Sequence, residues 1–198
     1  MAPQYDFEDA ALHNTPKDLQ EVSRLLDLSD SGGAGDSIDI ERCRWDGGFG
    51  TPLMEAISRG NMEMAQLLLD RGADCDARYR EGRHHNRAVV HVAMSSGPHR
   101  GSWARVVGML ALKGVNVDVL DSTGSNLLHY ILAGSRDGAA HDAGKLAWVL
   151  ANSKDRETLL SERNTFHAHT PRELAEIRGA HAAAVDLLWV GRLNHRPV

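Results

Sequence analysis

The chain has 198 residues, of which 42% are hydrophobic and 25% charged, so its composition is that of a folded protein rather than a disordered one. Its formal net charge of −5 argues against sequence-independent binding to nucleic acid, which needs a basic excess. No apolar run approaches the roughly 18 residues of a membrane-spanning helix, and the N-terminus lacks a secretory signal, so we expect a cytoplasmic or nuclear location.

Aromatic residues are scarce, at 5% of the chain, which predicts a core of Leu, Val, Ala, Ile and Met. Such a core suits closely packed short helices better than a β-sandwich. The two cysteines, Cys43 and Cys75, cannot build a disulfide framework and form no CxxC pair, so we expect free thiols.

The first 45 residues contain two segments with helical patterning, Phe7–His13 and Pro16–Leu28. A loop rich in Ser, Gly and Asp follows at residues 29–35. We expect this pair of segments to be an atypical terminal unit that caps its neighbours. The packed face of its second segment is predicted to consist of Val22, Leu25, Leu26 and Leu28.

The next segment, residues 46–78, predicts two helices joined by a tight turn. Thr51 is a good N-cap and Pro52 suits the first helical position, where its missing N–H would have no partner. Leu and Ala residues then recur at helical spacing until Gly60-Asn61, which ends the helix. The second helix, from Met64, ends at Gly72, which we expect in a left-handed conformation. Such a helical hairpin needs apolar neighbours on both sides.

Three further segments repeat this pattern in more divergent form. Their first helices are predicted to begin near Ala88, Asn126 and Thr170. Their second helices are predicted at Val106–Asn116 (with its closing turn), Ala143–Asn152 and Ala180–Val190.

The run Gly50-Thr51-Pro52-Leu53-Met54-Glu55-Ala56, followed by Gly72-Ala73-Asp74, resembles the ankyrin-repeat family, in which TPLHxA precedes a VxxLL helix and GAD. The resemblance implies one all-α domain, a solenoid of about five helix–turn–helix repeats joined by short β-hairpins. The repeat starts are farther apart than the family period of about 33 residues, so we expect insertions at 98–102, 136–142 and 153–167. The expected repeats are 1–45 (N-terminal cap), 46–78, 79–120, 121–164 and 165–198 (C-terminal cap).

Groups that could carry chemistry are present, but not in catalytic patterns. The chain has 11 histidines, of which His91 and His129 fill the family's TPLH slot, and the resemblance implies that they hydrogen-bond backbone in a neighbouring turn. No HExxH, CxxC, nucleophile-elbow or phosphate-loop motif occurs. The resemblance makes Cys75 a small packed residue rather than a nucleophile. We therefore predict no catalytic residue, no metal site and no cofactor.

The resemblance also implies a partner-binding face built from the hairpin tips and the first helices. Residues 78–87 carry four arginines and two histidines against one acid, Glu81, which favours an acidic or phosphorylated partner; the alternative is a solvated hairpin tip. Trp103 is a candidate exposed anchor. The predicted partner-binding residues are Arg59, Arg78, Tyr79, Arg80, Arg83, His84, His85, Arg87, Trp103, Ser122, Ser125, His167 and His169.

The sequence thus predicts a monomeric protein–protein interaction module with no enzymatic activity, binding neither nucleic acid nor membrane. Two other readings stay open. One is a small-molecule-binding or enzymatic protein that uses His and Arg side chains in a pocket formed by the inserted loops. The other is a piece of a larger regulatory protein.

Overall fold

A computed structural model describes residues 3–13, 15–31, 37–42, 50–79, 86–95, 103–134, 140–165, 168–178 and 186–188. Within these residues the chain is helical, and its only β pairing is an isolated antiparallel bridge between Arg78 and Ala88. None of the described helices is long and apolar enough to cross a bilayer. The helices are α1 (Pro3–Leu12), α2 (Pro16–Asp30), α3 (Pro52–Arg59), α4 (Met62–Asp70), α5 (Val89–Met94), α6 (Trp103–Leu112), α7 (Leu127–Gly134), α8 (Ala140–Asn152), α9 (Arg156–Ser161) and α10 (Pro171–Ile177).

The chain divides into two compact units. The first unit comprises residues 1–93 and 97–115, and therefore holds α1 to α4, nearly all of α5, and α6. The second unit comprises residues 94–96 and 116–198 and holds α7 to α10.

In the first unit, the predicted pair of helices at the best-matching segment is confirmed. The Thr51 side chain accepts a hydrogen bond from the Met54 N–H, and Pro52 opens α3. Gly60 and Gly72 have φ values of 74° and 87°, a left-handed conformation that glycine adopts without steric cost. α3 packs on α4 and on α1, and α2 packs on both α1 and α4. Local capping chemistry therefore fixes where these helices begin and end.

The core of the first unit is aliphatic and rich in methionine, as the composition predicts. α4 is buried along most of its length, and Met64 and Leu68 have no exposed surface. The predicted face of α2 is confirmed at Val22, Leu25 and Leu26 but is wrong at Leu28, which is 54% exposed. A helix turns about 100° per residue, which carries Leu28 more than a quarter-turn away from the centre of the buried face.

In the second unit, α7 packs on α8 and α10, and α10 also packs on α9. The predicted helix at Ala143–Asn152 is confirmed, although α8 begins earlier, at Ala140. The segment predicted as the insertion 153–167 contains α9, whose side chains Leu159 and Leu160 are buried. The inserted residues therefore add to the core rather than forming only a loop. Of the predicted last helix, residues 186–188 are described and are helical.

Candidate partner-binding surface

The predicted surface includes residues 77–89, which we call the arginine hairpin and of which the structure describes the two arms, 77–79 and 86–89. The Tyr79 N–H donates to the Arg87 carbonyl at 2.9 Å, and the Asn86 N–H donates to the Tyr79 carbonyl at 2.9 Å. The Val89 N–H donates to the Ala77 carbonyl at 3.0 Å. These bonds hold the two arms of the hairpin at a fixed register where α5 begins. The two described arms are thus paired antiparallel, as the bridge between Arg78 and Ala88 also shows.

The described arginines of this surface are engaged within the protein. Arg78 is half-buried and its Nη1 donates to the Asn86 carbonyl at 3.1 Å, which ties it to the opposite arm of the hairpin. Arg87 is also half-buried. Arg59 forms an ion pair with Glu55 on α3, with 45% of its side chain exposed. A partner would therefore meet arginines whose geometry is already restrained.

Several predicted residues fall outside the part of the chain that the structure describes. They are Arg80, Arg83, His84, His85 and His167. Their role stays a prediction from the sequence.

Tyr79 lies against Gly50, two positions before α3 begins. A Cβ atom added to Gly50 would be 2.8 Å from Cε1 and 3.1 Å from Cζ of Tyr79. The tyrosine ring therefore occupies the space that a side chain at position 50 would need. This contact joins the arginine hairpin to the start of the preceding helical pair, and it gave no signal in the sequence.

The other predicted residues differ in accessibility. Ser122 is exposed, and His169 and Trp103 are half-buried. Ser125 is buried, and its hydroxyl lies 2.9 Å from Thr123 Oγ1 and accepts a hydrogen bond from Asn164 Nδ2 at 3.2 Å. A side chain held in this way braces the turn before α7 and has no free surface for a partner.

The turn before α7 is organised by Asp121. Its carboxylate accepts hydrogen bonds from the backbone and side chain of Thr123, from the Ser125 N–H, and from the Tyr130 hydroxyl at 2.7 Å. Burial raises the pKa of this carboxyl, but the hydrogen bonds outweigh it and the pKa lies below its usual range. The charged form is therefore the one built into the fold.

The two histidines of the family slot are buried and hydrogen-bonded to backbone. His91 Nδ1 accepts from the Ala88 N–H at 3.1 Å, and His129 Nδ1 lies 3.2 Å from the Asn126 N–H. His129 Nε2 is 2.9 Å from the His169 carbonyl, to which it must donate because a carbonyl only accepts. The expected bond to a neighbouring turn is confirmed for His129, so this ring is structural.

Burial lowers the pKa of His129 below its usual range, against the opposing effects of its bond to His169 and the charge of Asp121. The unfolded chain therefore binds a proton more readily than the folded chain below about pH 6.5, the ordinary pKa of histidine. We expect the stability of the second unit to be full above that pH and to fall as the pH decreases towards the folded pKa. Urea denaturation at a series of pH values measures this.

A His129→Gln variant is the control for that prediction. It should be less stable at neutral pH but should show a shallower loss of stability between about pH 6.5 and 5, because the titrating group is gone. The carboxylates of the second unit with lowered pKa, Asp121, Asp155 and Glu173, act at lower pH and do not overlap this window. An unchanged slope in the variant would assign the pH dependence to other groups.

A depression of about 390 Å³ lies between α9 and α10 in the second unit. Arg163 spans its wall, donating to both carboxylate oxygens of Glu173 and to the Ala168 carbonyl. Arg172 also lines it, and its Nε donates to the Leu188 carbonyl at 2.9 Å. The arginines that could bind a small anion are thus used to hold the fold together.

Neither a metal centre nor an activated nucleophile is found among the described residues. No group of three His, Cys, Asp or Glu side chains in that part of the chain could hold an ion. Cys75 is half-buried, with its Sγ 3.6 Å from the Lys113 carbonyl. Burial, followed by the charges of Asp76 and Asp74, raises the pKa of this thiol, which disfavours the reactive thiolate.

Comparison with known proteins agrees with this geometry. The family model described as "Ankyrin repeat" matches residues 50–80, the stretch that contains α3, α4 and the start of the arginine hairpin. A stretch of 121 residues is 34% identical to the B-cell lymphoma 3 protein homolog of Mus musculus. That alignment covers 61% of this chain and 23% of the mouse protein, so the chain spans about a quarter of that relative's length.

Proposed function

We propose that this ankyrin-repeat chain is a protein-binding module whose partner contacts the arginine hairpin and the adjoining start of α3. The observation that supports it is the hydrogen-bonded hairpin itself. Bonds from the Tyr79 N–H to Arg87 and from the Asn86 N–H to Tyr79 pair the two described arms of this hairpin, whose sequence carries four arginines and one acid in a chain of net charge −5. Preorganised side chains lose less conformational entropy on binding than mobile ones.

The chemistry of the hairpin favours an acidic or phosphorylated segment as the partner. Arginine presents a planar fork of N–H donors that matches two oxygens of a carboxylate or phosphate. The bond from Arg78 Nη1 to the Asn86 carbonyl orients its guanidinium within the arginine hairpin. Protein binding also accords with the restrained Arg59 on α3.

The division of the chain into repeats is also a proposal. We propose five repeats, at 1–45, 46–78, 79–120, 121–164 and 165–198, of which the second is the one that the family model matches. The helix pairs α1–α2, α3–α4, α5–α6 and α7–α8 follow these boundaries. We further propose that the protein acts as a monomer in the cytoplasm or nucleus and needs no cofactor.

The test compares Arg78 and Arg87, which the structure describes, with Arg80 and Arg83, whose role is predicted from the sequence alone. Peptide arrays carrying acidic segments, with and without phosphoserine, would be probed with wild type and with Arg80→Ser/Arg83→Ser and Arg78→Ser/Arg87→Ser variants. We expect each pair to weaken binding by roughly tenfold, since charged hydrogen bonds are lost. We expect only the second pair to lower the melting temperature, because Arg78 braces the hairpin.

The matched control is Arg105→Ser. Arg105 is an exposed arginine of α6, outside the hairpin sequence, that forms an ion pair with Glu63 at 3.3 Å. It should change binding less than about twofold, because exposed ion pairs contribute little. If all three variants lost affinity equally, binding would reflect overall charge. If none did and the melting temperature still fell, the hairpin arginines would be structural.

The small-molecule alternative places a ligand in a pocket formed by the inserted loops, and among the described residues the depression between α9 and α10 includes part of one of them. Arg163 is paired there with Glu173, and Arg172 donates to the Leu188 carbonyl, so an anion bound by both arginines would compete with these interactions. The hairpin is therefore the better-supported site.

A further inference from the structure

The residue two positions before the first helix varies along the chain. In register with one another, the four positions are Gly50, Arg87, Ser125 and His169, which precede helices beginning at Pro52, Val89, Leu127 and Pro171. Three of them carry polar side chains, and Gly50 carries none. The segment that matches the family best thus lacks its own side chain at a position where the others have one.

Nothing in the backbone requires glycine at this position. The glycines with positive φ among the described residues are Gly60, Gly72, Gly114 and Gly124, and Gly50 is not one of them. An alanine could therefore adopt the backbone conformation of Gly50.

What the missing side chain allows is the approach of Tyr79. A Cβ atom at position 50 would lie 2.8 Å from Cε1, 3.1 Å from Cζ and 3.3 Å from Oη of that residue. The first of these is closer than carbon atoms approach without displacement, since the optimal separation of carbon atoms is about 3.5–4.0 Å. The atoms concerned are at the far end of a side chain that can rotate, so a methyl group would move the ring rather than the backbone.

We infer that Gly50 is a positioning residue for Tyr79, and that Tyr79 is a specificity-determining residue of the arginine hairpin. The inference rests on the proposed partner-binding function. The Tyr79 ring fills the space of the side chain that position 50 lacks. Tyr79 follows Arg78 in the chain, and its backbone N–H donates to the Arg87 carbonyl. Arginine binds an acidic group, whereas a half-buried tyrosine ring packs against an apolar one.

The class of partner follows from this pairing. It is an acidic segment that carries a bulky apolar residue beside the acidic group, rather than a uniformly acidic tract. The arginines supply affinity for any acidic segment, and the tyrosine selects among such segments.

The experiment compares two peptides, one uniformly acidic and one with the same charge but a phenylalanine beside the acidic group. Binding by fluorescence anisotropy is measured for wild type, Gly50→Ala, Tyr79→Ala and Gly108→Ala. Gly108 is the matched control, because a Cβ atom there meets nothing within 4 Å. The ring signals of the protein's three tyrosines are followed by NMR, with Tyr79→Phe to assign the one of interest.

We expect Gly50→Ala to shift the Tyr79 ring signals. It should also weaken binding of the phenylalanine peptide by roughly fivefold, because an aromatic residue of the interface is displaced. The affinity for the uniformly acidic peptide should change by less than about twofold in Gly50→Ala. Gly108→Ala should leave the affinity for both peptides unchanged. The double variant Gly50→Ala/Tyr79→Ala should be no less stable than Tyr79→Ala, because the three atoms nearest to the added methyl group have been removed.

Unshifted ring signals in Gly50→Ala would overturn the positioning role. Equal weakening of both peptides would overturn the specificity role. If wild type bound neither peptide, the protein-binding proposal and the role of Tyr79 in it would both fail, whereas the ring signals would still decide whether Gly50 positions Tyr79.

Discussion

Replacing Leu68 with alanine should lower the free energy of unfolding of the first unit by about 2–5 kcal/mol, the range for a large-to-small change in a packed core. Leu68 lies on α4 and has no exposed surface, with the equally buried Met64 and Ala65 on the same helix. The loss combines the transfer free energy of the deleted carbons with the cavity that remains. Urea denaturation followed by circular dichroism measures it.

Leu112→Ala provides the matched control for this substitution. Leu112 ends α6 in the same unit and is 88% exposed, so the same deletion there should change stability by less than about 0.5 kcal/mol. Equal effects at the two positions would mean that α4 is not packed as described.

Asn126→Ala should destabilise the second unit by about 2–4 kcal/mol, because a buried amide that satisfies several backbone groups is removed. Its Nδ2 donates to the Leu159 carbonyl at 2.7 Å, and its Oδ1 accepts from the N–H groups of Leu128 and His129. The residue thus caps α7 and binds α9 at the same time. Thermal and urea denaturation both report the loss.

Asn152→Ala is the control in the same unit, since the Asn152 amide is exposed and donates within its own helix to the Trp148 carbonyl. It should be nearly neutral. Asn126→Asp tests the two roles separately: it keeps the cap acceptors but cannot donate to Leu159 when ionised. An Asn126→Asp variant as stable as wild type would show that the bond to α9 contributes little.

Where helices begin and end was predictable because the responsible chemistry is local. Thr51, Pro52, Gly60 and Gly72 act within a few residues of the backbone groups that they satisfy, so their order in the sequence is sufficient. Leu28 shows the limit of this reasoning. It is apolar and lies on the predicted helix, but its angular position places it outside the buried face.

The features that sequence could not provide depend on contacts between distant residues. α9 has six residues and lies in a segment that the repeat spacing predicted only as an insertion. Its Leu159 carbonyl accepts a hydrogen bond from Asn126, more than 30 positions earlier. Ser125 was predicted on the partner-binding face, but it is buried, and Asn164 from the same inserted segment donates a hydrogen bond to its hydroxyl. The Tyr79 ring contacts Gly50 only in the folded chain, because the two residues are far apart in the sequence.

The division of the chain into two units, each with its own buried core, bears on how cooperatively it unfolds. Repeat arrays lose all-or-none behaviour when neighbouring parts are weakly coupled. A partner on the arginine hairpin would then slow amide hydrogen exchange in the helices of the first unit more than in α7 to α10. Exchange protection, read helix by helix, would report how far the effect of binding spreads along the chain.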